Sequence, residues 1–342
     1  MSVRKTIKAA LANKNHPKEY LEILKCWYDL DSKGNWLIIW ASENGHAEVV
    51  WKLLALAEAN GVDPSAKDNY AIRSASSNGV DPSAEDNRAI RSASSNGHTE
   101  IVRMLLKHDL VDPSVKKNDA IRSAAYHGHV EIVKLLLTDT RVDPGAQNDQ
   151  AIRFASQNGH NEVVEILLKN KHVDPTADNN FAICWASYKN CVEVVRVLLV
   201  DKRVDPGAGS NYAIRLASAN GHVEIVRLLL ADKRVDPSAR SNYAIRLASE
   251  NGHVEVVRLL LADKRVDPSA ANNAAVRWAA KNGHVKVVRD LLQDLRVDPQ
   301  VNDGEALEDA IANDHSKVVK LLTEWKPSVK PEQPHIVTIS KE

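Results

Sequence analysis

The sequence has few of the features that mark secreted or membrane-bound proteins. Its three cysteines, Cys26, Cys184 and Cys191, are too few for a disulfide framework, so we expect a reducing intracellular compartment. No run of about 18 apolar residues is present, and we therefore expect no transmembrane helix. The first residues, MSVRKTIKAALANKNH, also lack the apolar core and cleavage site of a signal peptide. The sequence therefore predicts a cytoplasmic protein that does not bind membranes.

The sequence also has no net charge, because 45 lysines and arginines balance 45 aspartates and glutamates. This balance argues against a protein whose whole surface binds nucleic acid or a membrane. Catalytic motifs are missing too: there is no glycine-rich phosphate loop, no nucleophile elbow and no HExxH zinc helix. We therefore expect no enzyme activity, no cofactor and no metal site.

The dominant feature of the sequence is an internal repeat. The triplet Val-Asp-Pro begins at residues 62, 80, 111, 142, 173, 204, 235, 266 and 297, and from residue 80 onward every interval is 31 residues. Length alone would suggest about two domains. A short helical pair cannot bury its own apolar side, but stacked neighbours can, so the period indicates one repeat array.

The best-formed unit, residues 235–265, predicts a turn followed by two helices. Its Val-Asp-Pro-Ser start has turn chemistry, and Asn242 stands where a helix needs an N-cap. A short first helix is expected over 243–250, and Gly252 after it provides the left-handed residue that ends a helix. Apolar residues at helical spacing, beginning at Val254, predict a second helix.

This unit resembles the ankyrin repeat. The resemblance is carried by the Asn-Gly-His turn between the helices, by "EVVRLLL" in the second helix and by the turn that links units. It covers about residues 28–325 and implies an all-α, ankyrin-like helix-turn-helix solenoid with short β-turns or hairpins between units. The style of these units is also similar to ankyrin arrays of giant viruses and amoebae, which would place a viral protein in the host cytoplasm.

The units depart from that family in two ways. They have 31 residues where ankyrin units usually have 33, and the family's Thr-Pro-Leu-His tetrapeptide is replaced by Tyr-Ala-Ile-Arg at 243–246. The hydrogen bonds that the family's Thr and His form between units are therefore missing. Other residues must join neighbouring units in this chain.

The two ends and one internal segment differ from the array. We expect residues 1–27 to form a helical N-terminal cap and 326–342 to form a disordered tail. Residues 61–78 and 79–96 are the same 18 residues with two changes, so one copy is an extra half unit at 62–79. Because helix 99–107 can pair with only one first helix, we expect it to pair with 88–95. The surplus copy would then bulge from the stack or form a wedge in it.

Two charged columns recur with the period, one of arginines and one of aspartates. The first interpretation is a structural ladder in which each guanidinium bonds to turn carbonyls or to a column aspartate. The alternative is a basic stripe that binds anions or nucleic acid, which the matched aspartates disfavour. The predicted ladder comprises Arg73, Arg91, Arg122, Arg153, Arg215, Arg246, Arg277, Asp112, Asp143, Asp205, Asp236 and Asp267.

Histidines recur as well, and one unit carries two cysteines. We expect the histidines to pack on the turns, because ligands from units about 8–10 Å apart cannot converge on one metal ion. Cys184 and Cys191 could bridge or bind metal with His172, although drift within a single unit is the simpler explanation.

Positions that vary while the rest of the repeat is constant are candidates for partner binding. In the resembled family, turn tips and first helices line a concave binding surface, and Tyr, Trp and Arg carry most interface energy. We therefore expect a monomer that binds another protein, and we do not expect nucleic acid. The predicted binding residues are Trp36, Tyr70, Arg88, Lys116, Tyr126, Phe181, Tyr188, Tyr212, Arg240 and Tyr243.

Overall fold

The computed structural model describes residues 35–58 and 83–326. Within these ranges the chain consists of helices joined by turns, with no strand, which confirms the predicted all-α fold. The predicted cap at 1–27, the half unit at 62–79, the tail from residue 327, and Tyr70 and Arg73 lie outside the described residues. The chain divides into two compact units between Asp174 and Pro175.

The first unit contains four helical hairpins. Its helices are α1 (Asn35–Glu43), α2 (Ala47–Glu58), α3 (Ala84–Ser95), α4 (Thr99–Leu105), α5 (Val115–His127), α6 (Val130–Leu136), α7 (Ala146–Gln157) and α8 (Asn161–Leu168). Each odd-numbered helix pairs with the even-numbered helix that follows it. First helices pack on first helices, from α1 through α3 and α5 to α7, and second helices pack on second helices in the same order.

The second unit contains five hairpins built in the same way. Its helices are α9 (Ala177–Tyr188), α10 (Val192–Val200), α11 (Ala208–Ala219), α12 (Val223–Ala231), α13 (Ala239–Glu250), α14 (Val254–Ala262), α15 (Ala270–Lys281), α16 (Val285–Leu291), α17 (Val301–Ala312) and α18 (Ser316–Thr323). Sequential first helices and sequential second helices again form two packed rows.

Apolar residues at helical spacing explain why the hairpins stack. In α14, Val256, Val257 and Leu260 are completely buried, and in α13 Ala244 and Ile245 are equally inaccessible. Complete burial of a Val, Ile or Leu side chain contributes about 1.5–3 kcal/mol. A hairpin alone would leave one side of these residues in water, so each unit depends on its neighbours.

The turn between the two helices of a hairpin requires glycine for two reasons. Gly252 has φ +75°, a left-handed conformation that side chains rarely adopt. A Cβ at this residue would also lie 2.6 Å from Nδ1 of His284 in the next hairpin. Two hairpins carry Asn190 and Asp314 at this position, and both residues have positive φ angles. Asn and Asp are the side chains that best tolerate this conformation.

The start of the first helix differs from the prediction. Arg240, Ser241 and Asn242 all have left-handed backbone angles, with φ of 53°, 56° and 58°, inside the helix that begins at Ala239. Asn242 was expected to cap a helix starting at residue 243, and this assignment was wrong, because its side-chain oxygen accepts the N–H of Asp267 instead. All eight first helices from α3 to α17 contain such a left-handed triplet. Left-handed residues usually occur singly and cost about 1–2 kcal/mol each, so the triplet needs other contacts to hold it.

The hairpins on either side of the extra half unit are in direct contact. Nε2 of His98 lies 3.1 Å from the carbonyl oxygen of Glu43, and Arg88 pairs with the Glu43 carboxylate at 3.0 Å. The same histidine contact spans 34 residues elsewhere and 55 here. The additional residues therefore belong to the connection from α2 to α3. As expected, α3 pairs with α4.

Candidate partner-binding face

The first helices and their left-handed triplets present side chains on a common side of each unit, which we call the first-helix face. Residues directly after the triplet, and residues three, four and seven positions later, lie on this side of the helix. In the second unit the face comprises Phe181, Trp185, Tyr188, Tyr212, Arg215, Arg240, Tyr243, Arg246, Trp278 and Lys281.

Arginines and aromatic rings alternate across three consecutive hairpins of this face. The Cζ atom of Arg215 lies 5.0 Å from the ring centre of Tyr212 and 5.8 Å from that of Tyr243. The Cζ atom of Arg246 lies 4.7 Å from the ring centre of Tyr243 and 5.1 Å from that of Trp278. Each cation–π contact contributes about 0.5–2 kcal/mol. Burial lowers the pKa of Arg215 and of Arg246, although both guanidinium groups remain charged at neutral pH.

The same arginines hold the left-handed triplets. Arg215 donates from Nε to the carbonyl of Ser210 at 3.1 Å and from Nη2 to that of Gly209 at 2.9 Å. Arg246 donates to the carbonyl of Arg240 at 3.0 Å. Arg91, Arg122 and Arg153 make equivalent bonds to triplet carbonyls in the first unit. Each side chain thus turns back to the start of its own helix and orients it.

Some column arginines also contact the next hairpin. Arg91 and Arg122 both pair with Asp119 at 3.1 Å. Arg122 also donates to Gln150, and Arg277 pairs with Glu305. Three of these partners, Asp119, Gln150 and Glu305, occupy the position after a triplet, where Tyr212 and Tyr243 stand in the second unit. One variable position therefore selects between an ion pair and a cation–π contact.

The column aspartates bond to the turns. Asp236 accepts the backbone N–H of Ser238 at 2.9 Å and its hydroxyl at 2.6 Å, while its own N–H donates to Asn211 at 2.7 Å. The same arrangement of a carboxylate on a turn N–H and a backbone N–H on the preceding hairpin occurs at Asp112, Asp143, Asp205 and Asp267. Of the two acceptors predicted for the arginines, turn carbonyls are therefore the ones observed.

A second set of arginines joins neighbouring hairpins, and the sequence analysis missed it. Arg234 pairs with Asp232 at 2.6 Å and also donates to the carbonyls of Val204 at 2.8 Å and Leu199 at 2.9 Å in the preceding hairpin. Arg265 and Arg296 repeat this pattern. The only signal in the sequence is an arginine before each Val-Asp-Pro triplet, and its neighbouring aspartate suggests a purely local ion pair.

The histidine column also links hairpins. Nε2 of His253 lies 3.0 Å from the carbonyl oxygen of Ala219, the last residue of the preceding first helix. His129, His160, His222, His284 and His315 make the same contact. Together with the asparagine and arginine bonds, it joins adjacent hairpins where the resembled family uses its Thr and His residues.

The structure places the predicted binding residues in different environments. Tyr126, Tyr188 and Tyr212 are exposed by 45%, 37% and 42%, whereas Phe181 and Tyr243 are half-buried. Tyr188 packs edge-on against Trp185 at 5.3 Å, and Trp185 stacks on Phe181 at the same distance.

The charged candidates differ in whether they have partners. Lys116 pairs with Asp86 at 2.8 Å, and Arg88 pairs with Glu85 at 2.9 Å as well as with Glu43. Arg240 is exposed and makes no ion pair within the described residues. Trp36 lies in α1.

The two described cysteines are free thiols. Cys184 is buried in α9, and burial raises its pKa to about 12. Burial raises the pKa of Cys191 too. Neither sulfur is therefore a thiolate at neutral pH, the form in which cysteine binds metals or attacks electrophiles.

Two other searches of residues 35–58 and 83–326 gave negative results. No cluster of three or more His, Cys, Asp or Glu side chains is arranged to hold a metal ion. No helix there has the length and hydrophobicity needed to span a bilayer.

Comparison with known families accounts for the repeat. The family profile described as ankyrin repeats (3 copies) matches residues 65–148, 124–210, 183–272, 211–303 and 247–333, which together cover most of the chain. No curated protein matches the sequence. The stacked hairpins, the glycine turns and the matched residues agree, and the chain belongs to the ankyrin-repeat family.

Proposed function

We propose that the chain is a scaffold that binds a partner protein through its first-helix face. Ankyrin repeats are generally protein–protein interaction modules. The observation that supports this face is the set of partly exposed tyrosines held by the arginine stack, above all Tyr212 beside Arg215. Tyrosine and arginine dominate interface energies, and side chains ordered before binding lose little entropy when a partner docks.

The opposite side of each hairpin is less suited to recognition. The exposed residues of the second helices include glutamates and arginines paired three residues apart, such as Glu224 with Arg227 and Glu255 with Arg258. Exposed pairs of this kind contribute little energy and are well solvated. The chain is further proposed to act as an intracellular monomer without catalytic activity or a cofactor, because its acids and histidines serve the repeat.

Anion or nucleic-acid binding along the arginine column has less support. Arg215 and Arg246 already donate to backbone carbonyls and lie against aromatic rings, so a phosphate would have to displace these contacts. A phosphate-binding column would show a steep loss of affinity with salt, whereas binding led by tyrosines would show a shallow one.

Affinity capture tests the proposal. The full chain is immobilised and exposed to extract of the cells in which it occurs, and retained proteins are identified by mass spectrometry. The combined variant Tyr188→Ala, Tyr212→Ala and Tyr243→Ala is expected to lose a partner that the natural chain retains. A control carrying Trp51→Ala, Val200→Ala and Arg227→Ala, all in second helices, is expected to keep it. Retention by the tyrosine variant and loss by the control would place the binding surface elsewhere.

A further inference from the structure

The first helices of the second unit carry an uneven charge. Across α11, α13 and α15 the cationic residues are Arg215, Arg240, Arg246, Arg277 and Lys281, and the only anionic one is Glu250. The second helices of the same hairpins, α12, α14 and α16, mix the two signs. The positive charge is therefore confined to one side of these hairpins, although the chain as a whole is neutral.

Only part of this charge is neutralised. Arg277 pairs with Glu305 of the next hairpin. Arg215 and Arg246 satisfy donors on backbone carbonyls, which carry no compensating negative charge. The exposed side chains of Arg240 and Lys281 form no ion pair within the described residues.

The free cations lie next to aromatic surface. Arg240 belongs to the triplet that precedes Tyr243, and it is close enough to Arg215 to lower the pKa of that guanidinium. Lys281 ends the helix that carries Trp278. A partner here would meet exposed ammonium and guanidinium groups around the half-buried Tyr243 and the exposed Tyr212.

We propose that the face formed by α11, α13 and α15 binds an acidic segment of the partner protein, with carboxylates paired to Arg240 and Lys281 and an apolar side chain against Tyr212. This proposal rests on the protein-binding function above and adds the chemical class of the bound segment. Carboxylates suit the site because arginine offers them two parallel donors and lysine a point charge. Complementary charge also speeds encounter and disfavours basic partners.

An acidic peptide fits this face better than a nucleic acid does. Affinity for a nucleic-acid backbone comes from many phosphate contacts, whereas this face has two unpaired cations. The turns that lead into the same helices carry Asp205, Asp236 and Asp267, which would repel a long polyanion. A segment with a few carboxylates separated by apolar residues avoids that repulsion.

Selection from a displayed library of random peptides on the full chain tests this inference. Peptides that survive selection are expected to be enriched in Asp and Glu and to contain aromatic or aliphatic residues. Their affinity, measured by fluorescence anisotropy, should fall at least about tenfold in Arg240→Glu with Lys281→Glu. The matched control, Lys233→Glu with Lys264→Glu, changes two exposed loop lysines and the net charge by the same amount, and it should leave affinity unchanged.

Several outcomes would overturn the inference. They are an absence of selected peptides, selection of neutral or basic peptides, equal loss of affinity in both double variants, or tighter binding of a single-stranded oligonucleotide than of any peptide. Selected neutral peptides that still need Tyr212 would leave the protein-binding function intact and remove only the acidic class. Failure of the capture experiment would instead remove the function itself.

Discussion

The side-chain oxygen of Asn242 accepts the backbone N–H of Asp267, 25 residues later, at 2.8 Å. This bond ties the left-handed triplet of one hairpin to the Val-Asp-Pro turn of the next. Equivalent bonds join Asn87 to Asp112, Asn118 to Asp143, Asp149 to Asp174, Asn180 to Asp205, Asn211 to Asp236 and Asn273 to Asp298. The third residue of each triplet is therefore a link between hairpins.

Removal of this acceptor should weaken the stack. Asn242→Gly keeps a residue that adopts positive φ freely but leaves the Asp267 N–H without its partner. An unsatisfied buried N–H costs about 1–3 kcal/mol, so the free energy of unfolding should fall by that amount in a denaturant titration. Ser241→Gly is the matched control, because its exposed side chain has the same left-handed backbone and it should be neutral or slightly stabilising. Equal effects of the two changes would mean that the link contributes nothing.

The arginine column should support the fold. Arg246→Ala removes a charged hydrogen bond to the Arg240 carbonyl and two cation–π contacts, and we expect a loss of about 2 kcal/mol and a lower melting temperature. Arg246→Lys should restore little of it, since lysine lacks the planar group that stacks between rings. Arg227→Ala, on an exposed second helix, should have almost no effect. An unchanged melting temperature in Arg246→Ala would favour the basic-stripe interpretation.

One hairpin in the first unit carries a carboxylate where the others carry an amide. Burial raises the pKa of Asp149, and the nearby carboxylates of Asp174 and Asp143 raise it further, while the N–H of Asp174 lowers it. A raised folded pKa gives stability that is complete below the unfolded value of 3.8 and is lost as pH rises through the folded pKa. Asp149→Asn should therefore stabilise the chain at neutral pH, and the gain should shrink as the solution is acidified.

Chemical denaturation at several pH values measures this effect. The reverse change, Asn118→Asp at the equivalent buried position, should destabilise the chain at neutral pH and less so in acid. A gain from Asp149→Asn that does not vary with pH would show that the carboxylate is not ionised at a cost in the folded chain.

The period revealed the hairpins, because apolar spacing and the Asn-Gly-His turn are local signals. The buried Val256, Val257 and Leu260, and the positive φ of Gly252, follow directly from them. The left-handed triplets could not be read in this way. A residue such as Asn242 is common both at N-caps and in left-handed turns, and only bonds to distant groups, such as the Asp267 N–H, select the second.

The candidate face was predicted in part for a similar reason. Variable aromatic positions pointed to Tyr212 and Tyr243, but sequence spacing could not show that Arg215 would lie near both rings, since Tyr243 follows it by a full repeat. The role of Arg234 was missed because its partners, the carbonyls of Val204 and Leu199, carry no side-chain signal at all.

The extra half unit should be dispensable. Deletion of 62–79 leaves seven residues between α2 and α3, the same number that joins Val200 to Ala208. The free energy of unfolding should then stay within about 0.5 kcal/mol of the natural value, because no described contact between α1 and α3 is removed. Deletion of 235–252, the aligned segment of a complete unit, should abolish cooperative folding. A comparable loss in both deletions would show that 62–79 stabilises the stack.

Site-specific photo-cross-linking tests the central claim, recognition of a partner through the first-helix face. A benzophenone amino acid replaces Tyr212 in α11 or, as the control, Arg227 in α12 of the same hairpin, and irradiation follows in cell extract. The account predicts a cross-linked partner at position 212 and none at position 227. Cross-linking of that partner at 227 and not at 212 would contradict it.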